Sequence, residues 1–409
     1  MIKVYKEGSF AVERISAKDK IRFLWLVSIL YCTYPYVFNL FLPLPPIFFL
    51  ILLTFVATLL VYGNKLSEIF SINAITTVVL LQFLGSTIGL LAVQDSEYVK
   101  QMFYILWILC FLGLCRAYGI KKFLLIYNRI ILIVALFGVL AFFLSLFLGY
   151  HAWFEYINMD GRPGAFVWCT FCNNHAGNFI RYCGIFDEPG AMAYWGMFSL
   201  ITNKLYVKDR KIEIPLIVSL LFTFSLAYYI QIVIYFVAFY LKNLSIKQKL
   251  LSLFVVLVAV VAFVHYSDED SQLYRATLYR MGMGSDAIDV ATENNRARMM
   301  DEAVKIFKQN PVFGIGPTQF YGGTYAADNP YETLAKDGIV GTFFIYLPLI
   351  ITFCYGVKKK EVLMASVVLF IGYLQRPFHI NFIHYTMLYM FFYIAYQLAH
   401  TKQIINRHV

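Results

Sequence analysis

Long runs of apolar residues, separated by short polar segments, dominate the pattern along this chain. A run of about 20 such residues is long enough to cross a bilayer as one helix. The chain is 60% hydrophobic and only 14% charged, whereas soluble domains are about a quarter charged. We therefore predict an all-α polytopic membrane protein, with residues 1–409 forming a single integral membrane domain. The pattern predicts about 12 spans, at residues 23–42, 45–62, 70–93, 99–117, 122–148, 189–207, 213–227, 228–241, 249–266, 338–356, 361–375 and 382–400.

Basic residues set the orientation of these spans. Lys and Arg cluster before residue 23, between alternate spans and after the last span. One parity places all these clusters in the cytoplasm, as the positive-inside rule expects, and both termini with them. The net charge of +10 therefore reflects membrane topology, and no nucleic-acid partner is expected. The first apolar run lacks a small-residue cleavage site, so no cleavable signal is predicted.

The apolar segment 213–241 allows two interpretations. As one helix it would be about 43 Å long, at about 1.5 Å per residue, and would place the next lysine cluster outside. Two short crossings that break near Ser225-Leu226-Ala227 keep that cluster inside. The positive-inside rule favours the two short crossings.

Two long segments then face the outer side, at residues 149–188 and 267–337. We expect both to contain short helices, and the second to hold an amphipathic helix near 295–309. Loops of this length with structure of their own are usually functional. They carry isolated arginines, which long loops bring across regardless of the charge rule. These arginines therefore call for a chemical explanation.

The stretch "RYCGIFDEPGAMA" occupies residues 181–193. Pro189 suits the first turn of a helix, and Asp187 or Glu188 would cap that turn. This structural interpretation does not account for Arg181. A cation near a helix N-terminus at the membrane surface is well placed to bind phosphate. Glu188 is in addition a candidate catalytic carboxylate or arginine partner.

The stretch "NNRARMMDEAVKIFKQNPVFGIGPTQF", residues 294–320, predicts a helix over 295–309 that ends before Pro311. Arg296 lies on its apolar face, where we expect it to meet an anion, with a structural salt bridge as the alternative. Arg298 lines up instead with Glu302, four residues on, as a solvated pair. The apolar face itself comprises Met300, Ala303 and Phe307.

Two further stretches lie beside predicted spans on the outer side. In "DNPYETLAKDGIVG", residues 328–341, the residues Asp328, Tyr331 and Glu332 could contact a substrate head group. The alternative is a turn followed by a helix start. In "QRPFHINFIH", residues 375–384, the polar residues are Arg376, His379 and His384. A histidine there is either a general base or a hydrogen-bonded anchor at the interface.

Three cysteines share the first outer segment with His175. Cys169, Cys172 and Cys183 allow one disulfide with a thiol left over, a zinc site, or three free thiols. Their spacing matches no common zinc module. The sequence contains no Walker loop, dinucleotide-binding glycine pattern or Asp-x-Asp signature, so use of a nucleotide is not expected.

Taken in order, these stretches resemble the Wzy-type O-antigen polymerases, in the superfamily that also holds the O-antigen ligases. "RYCGIFDEP" is similar to the family's Arg-x-x-Gly-x-Phe-x-Glu-Pro pattern. Arg296 followed by "NPVFGIGPTQF" resembles its arginine, apolar helix and Pro-x-x-Gly-x-Gly. "DNPYETLAKDGIVG" resembles its segment ending in Gly-Ile-x-Gly. Ligases carry His-Asn in this third pattern, whereas Asp328-Asn329 stands here, which favours a polymerase and leaves the general base unassigned.

The resemblance implies a GT-C-like glycosyltransferase of the bacterial inner membrane that acts on the periplasmic side without a metal or cofactor. The donor is a polysaccharide on undecaprenyl pyrophosphate, and the acceptor is one repeat unit on the same lipid. An acceptor hydroxyl attacks the anomeric carbon of the donor, and the lipid pyrophosphate leaves. Membrane lipid, a chain-length regulator (a polysaccharide co-polymerase) and a flippase are the partners that the resemblance implies.

Within this scheme the candidate residues take three roles. Arginines at a low-dielectric surface would stabilise the charge of the leaving group. The pyrophosphate candidates are Arg181 and Arg296, with Arg298 and Arg376 as further candidates. The candidate bases or orienting carboxylates are Glu188, Asp328 and His379. The candidates for contact with sugar are Tyr321, Tyr325, Tyr331 and Glu332. No metal ligand is predicted.

Two other functions remain as alternatives. One is ligation of O-antigen to lipid A–core, which uses the same donor with a different acceptor. The other is transport or flipping of lipid-linked sugars. Transporters keep charges deep within their spans, whereas the charges of this chain crowd its outer segments. This distribution favours an enzyme that works at the membrane interface.

Overall fold

A computed structural model describes residues 46–62, 73–157, 163–241, 245, 295–323, 329–375 and 382–405 of the 409-residue chain. The predicted spans 23–42 and 249–266 lie outside the described residues. Contacts divide the chain into two compact units, which are described in turn. The first comprises residues up to Ile130, Thr202–Lys208 and the residues from Arg298 onward, and the second comprises Ile131–Ile201 and Asp209–Ala297.

The described part of the chain is mostly helical. Its helices are α1 Pro46–Tyr62, α2 Ala74–Val93, α3 Glu97–Tyr118, α4 Ile120–Leu148, α5 Pro189–Thr202, α6 Arg210–Leu221, α7 Leu226–Phe239, α8 Asn295–Gln309, α9 Pro317–Gly322, α10 Glu332–Lys358, α11 Lys360–Gln375 and α12 Phe382–Ile405. A π-helical turn, Asn203–Val207, continues α5. Helices α2, α3, α4 and α10 are long and apolar enough to cross a membrane. The predicted helical membrane protein is confirmed in this respect.

The first unit is a helical bundle. Helix α10 packs against α2, α11 and α12, while α3 packs against α1, α2 and α12. Pro348 of α10 has no N–H, so the Phe344 carbonyl loses its intrahelical partner. Gln82 of α2 supplies one, because its Nε2 donates to Phe344 O (2.9 Å) and Ile345 O (2.8 Å). Tyr389 of α12 donates to Gln82 Oε1 (2.8 Å). One side chain thus joins three helices.

The second unit contains an antiparallel four-stranded sheet in the order β1-β2-β3-β4. Its strands are β1 Ala152–Ile157, β2 Pro163–Val167, β3 Thr170–Ala176 and β4 Phe179–Gly184. The prediction of short helices in 149–188, and so of an all-α chain, is wrong for this segment. Aromatic and β-branched residues here favour strands. Two-residue turns that begin at Trp168 (φ 53°) and Gly177 (φ 56°) close the hairpins.

One face of the sheet forms a core with helix α4. Ala165 and Ile180 are buried there against Ala141 and Phe142. The Phe142 ring also meets the Phe179 ring edge to face, with centroids 5.3 Å apart. These contacts fix the sheet on the end of the helix that leads into it.

Helices α6 and α7 form a hairpin within the second unit. Residues 222–225 between them are not helical, so the predicted helix break near Ser225 is confirmed. Tyr228 donates to Ile217 O (2.8 Å), and Tyr235 donates to Glu213 Oε1 (2.6 Å), so the two helices run antiparallel. With 12 and 14 residues, the helices are about 18 and 21 Å long. Each is shorter than the hydrocarbon core of about 30 Å.

Candidate functional site

The sequence stretches 294–320 and 328–341 are in contact at a break in helix α10. Gly338 has φ 62° and ψ −171°, a region of backbone space that is essentially restricted to glycine. The break separates residues 332–337 from the long apolar segment that follows. The predicted start of a span at residue 338 therefore coincides with a real change in the helix.

The glycine-rich loop Pro311–Gly316 satisfies the backbone groups that this break exposes. Carbonyls at the end of one helical segment and N–H groups at the start of the next lack intrahelical partners. A Cβ on Gly314 would lie 2.3 Å from Lys336 O, and one on Gly338 would lie 2.3 Å from Val312 O. The backbone bonds run from Ile315 N to Ala335 O (3.2 Å), Gly316 N to Lys336 O (2.9 Å), Ile339 N to Pro311 O (2.9 Å) and Val340 N to Val312 O (3.1 Å).

The connection between α2 and α3 holds the same loop from another side. Asp95 is 7% exposed and accepts from Thr318 twice. The backbone N of Thr318 lies 2.6 Å from Asp95 Oδ2, and its Oγ1 lies 2.7 Å from Asp95 Oδ1. Tyr98, at the start of α3, donates to Asp337 Oδ1 (3.0 Å). Three segments that are distant in sequence are therefore joined by buried polar groups.

A buried lysine lies at the centre of this junction. Lys336 has no exposed side-chain area, and its Nζ is 3.5 Å from Glu332 Oε1, which belongs to a side chain that is 5% exposed. Lys336 also donates to Tyr321 Oη (2.9 Å), and Tyr321 Oη donates to the same Glu332 oxygen (2.6 Å). We refer to Asp95, Thr318, Tyr321, Glu332 and Lys336 as the junction cluster.

Tyr321 is an accessible aromatic member of the junction cluster, with 42% of its surface exposed. Its hydroxyl already donates to Glu332 and accepts from Lys336. The Lys336 ammonium lies 4.8 Å from the centroid of its ring, a favourable cation–π geometry. An incoming ligand would therefore meet the Tyr321 ring rather than its hydroxyl. Tyr331 is 37% exposed nearby in the sequence.

The sequence analysis missed Lys336 and Asp95. A signal for Lys336 was present, because Glu332 and Lys336 are four residues apart and therefore adjacent on a helix. The predicted substrate contacts of this stretch are Asp328, Tyr331 and Glu332, and do not include the lysine. Nothing local marks Asp95, whose partner Thr318 lies 223 residues away.

Helix α8 begins at Asn295 and ends at Gln309, and its predicted bounds are confirmed. Ala303 and Ile306 are buried with Phe320 and Ala335. Met300, three residues before Ala303, is 36% exposed, so the buried part of the predicted apolar face does not extend to it. The helix docks through its later turns, where Phe320 and Ala335 cover it.

Helix α8 contains two arginines, and the structure describes the side chain of one of them. Arg298 is exposed, as its predicted place on the solvated face requires. Arg296 belongs to the helical backbone, but its side chain lies outside the described part of the structure. The prediction that Arg296 binds the pyrophosphate together with Arg181 therefore stays a prediction.

Arg181 lies on β4 and is 6% exposed. Its Nε donates to Thr223 O (3.2 Å) and its Nη2 donates to Phe224 O (2.8 Å), at the tip of the α6–α7 hairpin. Carbonyls at a helix end need such donors, and Phe224 turns the chain with a φ of 49°. A guanidinium has five N–H donors, and the hairpin tip uses two of them.

Helix α5 begins at Pro189, as the stretch "FDEPG" predicts. The Glu188 carbonyl accepts from Ala191 N (3.0 Å) and Met192 N (3.2 Å), and the residue is 8% exposed. The predicted helix start is therefore confirmed. Four candidate residues lie outside the described residues, and their roles stay predictions: Asp328, His379, Arg376 and Tyr325.

In this structure Cys169, Cys172 and Cys183 are free thiols. Burial raises the pKa of the Cys183 thiol well above its usual range. This thiol therefore remains protonated near neutral pH and is a poor nucleophile. Its sulfur lies 3.7 Å from Asn173 Oδ1.

Comparison with known proteins gives one match. Residues 214–353 match a family model, Wzy_C, described as O-antigen ligase. No curated protein and no solved structure matches the chain. The matched range includes the α6–α7 hairpin almost entirely, helix α8 and the whole loop-to-α10 junction. It includes neither Arg181 nor the stretch from Gln375 to His384.

Proposed function

We propose, from the match of residues 214–353 to the O-antigen ligase family model, that the protein is an O-antigen polymerase. It would transfer a growing polysaccharide from undecaprenyl pyrophosphate onto a new lipid-linked repeat unit. The new bond joins an acceptor hydroxyl oxygen to the anomeric carbon of the donor. The bond to the lipid pyrophosphate breaks, and the acceptor proton passes to a base.

The family match is the observation that carries this proposal. Within the matched range, the two motifs that recur in the family's pattern are in contact, through backbone bonds between Pro311–Gly316 and the break at Gly338. Asp328-Asn329 stands where ligases carry His-Asn. This departure supports a polymerase rather than a ligase.

Arginines are the groups proposed to bind the pyrophosphate. Its charge grows as the bond to the sugar breaks, and preorganised guanidinium groups stabilise such charge. Arg296 and Arg181 are proposed as the main ligands, with Arg298 and Arg376 as additional ones. Arg181 would use N–H groups other than the two that hold the hairpin tip.

The junction cluster is proposed to contact the acceptor sugar. An exposed Tyr321 ring offers an apolar face for a pyranose. Glu332 fixes the hydroxyl of that ring, and Lys336 holds both from beneath. Lys336 would thus be a positioning residue. Tyr325, Tyr331 and Glu332 itself are proposed as further sugar contacts, and Glu188, Asp328 and His379 as candidate bases.

The proposed enzyme lies in the bacterial inner membrane with about 12 spans, both termini in the cytoplasm and the two long outer segments in the periplasm. The four long apolar helices support a membrane location. Lysines and arginines between alternate spans support the orientation. A chain-length regulator and a flippase are its proposed partners.

An O-antigen ligase is the second candidate function, because the matching family model carries that description. Lipopolysaccharide from cells that lack the protein separates the two. Loss of a polymerase leaves core capped with a single repeat unit, and we expect this result. Loss of a ligase leaves bare core, which would contradict the proposal. Complementation with the intact chain provides the control.

A further inference from the structure

The four-stranded sheet contains a cavity that none of the residues proposed above for catalysis or substrate binding lines. Its volume is about 830 Å³, within the range of about 300–1,000 Å³ that is usual for small-molecule sites. The described residues that line it fall between Tyr150 and His175. The lining residues used below are Tyr150, Glu155, Tyr156, Gly164, Asn173 and His175.

A pair of stacked rings forms one wall of the cavity. The Tyr150 and His175 rings have centroids 4.3 Å apart and lie 21° from parallel. The Tyr150 backbone and the His175 ring are both tied to the β3–β4 turn, because Tyr150 N donates to Asn178 Oδ1 (3.1 Å) and His175 Nδ1 lies 3.3 Å from Gly177 O. His175 is exposed. The stack therefore offers a fixed, flat aromatic surface.

The opposite wall is made by β1 and β2. Tyr156 pairs with Gly164 across these strands, and a Cβ on Gly164 would lie 2.5 Å from Tyr156 Oη. The ring can lie over the strand only because residue 164 has no side chain. The Tyr156 hydroxyl is buried, so this residue contributes to the wall but offers no accessible polar group to a ligand.

Polar groups complete the lining. Glu155 is exposed on β1 and pairs with Ala165, whose small side chain leaves space beside the carboxylate. Asn173 Nδ2 donates to Asp187 O (2.5 Å), which fixes the orientation of its amide. The exposed carboxylate of Glu155 accepts hydrogen bonds. Hydroxyl groups spread around a ring fit such a set.

We infer that this cavity binds a short saccharide whose sugar units are neutral or carry an amino group. The ring stack would lie against the apolar face of one pyranose, and Glu155 would accept hydrogen bonds from its hydroxyl or ammonium groups. The carboxylate disfavours uronic acids and phosphorylated sugars, because it would repel their charge. The inference rests on the proposed function, since it takes the glycan of the lipid-linked substrate as the ligand.

The test measures binding of a free glycan to the full-length protein in nanodiscs. The probe is the oligosaccharide released by mild acid from the producing cell's own lipid-linked repeat units. Calorimetry gives Kd for the wild type, for Glu155→Gln and for His175→Ala. Asp301→Asn is the matched control, because it makes the same change from carboxylate to amide at an exposed position of α8.

We expect saturable binding to the wild type and to Asp301→Asn, and a Kd at least about tenfold higher for each cavity variant, the size of a lost hydrogen bond to a charged group. Because Glu155 is exposed, Glu155→Gln should fold normally, and it therefore tests the inference even if His175→Ala folds poorly. No binding to the wild type, or wild-type Kd values in Glu155→Gln, would overturn the inference. A different outcome is that the wild type binds the glycan, the variants lose this binding, and the wild type makes no polymer. That outcome would refute the proposed polymerase activity but not the saccharide site.

Discussion

Removal of the buried charge at Lys336 should destabilise the protein strongly. Its Nζ lies 3.5 Å from Glu332 Oε1, and the two side chains are 0% and 5% exposed. Lys336→Met keeps most of the side-chain length and leaves the carboxylate without this counter-charge. Coulomb's law at 3.5 Å and an effective dielectric constant of about 20 gives about 5 kcal/mol. Breaking a buried pair costs about 3–5 kcal/mol, so we expect a loss in that range.

The assay is equilibrium unfolding of the purified protein in detergent, followed by tryptophan fluorescence. Lys100→Met is the matched control, since Lys100 is 60% exposed in its pair with Glu97. Such exposed pairs contribute about 0–1 kcal/mol. The double variant Lys336→Met with Glu332→Leu removes both charges, and we expect it to regain most of the lost stability.

Polymer formation by the same variants separates the structural role of the pair from its proposed contact with sugar. The double variant should remain inactive although it is stable, because Tyr321 has lost both groups that hold its hydroxyl. The reasoning about the pair fails if Lys336→Met unfolds like the wild type. It fails equally if the double variant is as unstable as the single one.

Three further changes have defined outcomes. Gly338→Ala forces a strained backbone that costs about 1–3 kcal/mol and brings a Cβ to 2.3 Å from Val312 O, so its melting temperature should fall. Gly322→Ala is the control, because there is open space around its Cβ, and it should have the melting temperature of the wild type. Equal melting temperatures for the two variants would contradict the contact between the loop Pro311–Gly316 and the break at Gly338. Gln82→Leu removes the donor to two carbonyls of α10 and should cost about 1–3 kcal/mol in the same unfolding assay, with an unchanged midpoint as the contrary result. Arg181→Lys keeps a cation but not the guanidinium fork, so immunoblots should show normal protein while lipopolysaccharide gels show little polymer, and a normal ladder would count against its proposed role.

Local signals in the sequence predict the helices well. Apolar runs predict α2, α3 and α4 to within a few residues. Pro189 marks the start of α5, and the asparagine before Arg296 marks the start of α8. Each of these signals acts within one or two turns of the residues that it positions, so a single sequence contains the information needed.

The sheet at residues 152–184 was missed for a different reason. Its strands are five to seven residues long, and a bulge between Ala152 and Phe154 interrupts the alternation of β1. Trp168 takes the positive φ that hairpin turns usually reserve for glycine or asparagine. The usual sequence signals for a hairpin are therefore weak here.

The partners of the candidate residues were not predictable, because they are distant in the chain. Arg181 meets carbonyls 42 and 43 residues away, and Asp95 meets Thr318 across 223 residues. Tertiary packing determines such contacts, and the apolar periodicity of a single segment does not predict them. Among the candidates that the structure describes, Tyr321 and Glu332, 11 residues apart, are in direct contact.

Reconstituted polymerisation tests the central claim most directly. Purified protein in proteoliposomes receives undecaprenyl-pyrophosphate-linked repeat units, without nucleotide and in the presence of EDTA, and the lipid-linked products are separated on a gel. The proposal predicts a ladder whose bands differ by one repeat unit. Failure to extend the units, or transfer of sugar only when lipid A–core is supplied, would contradict it.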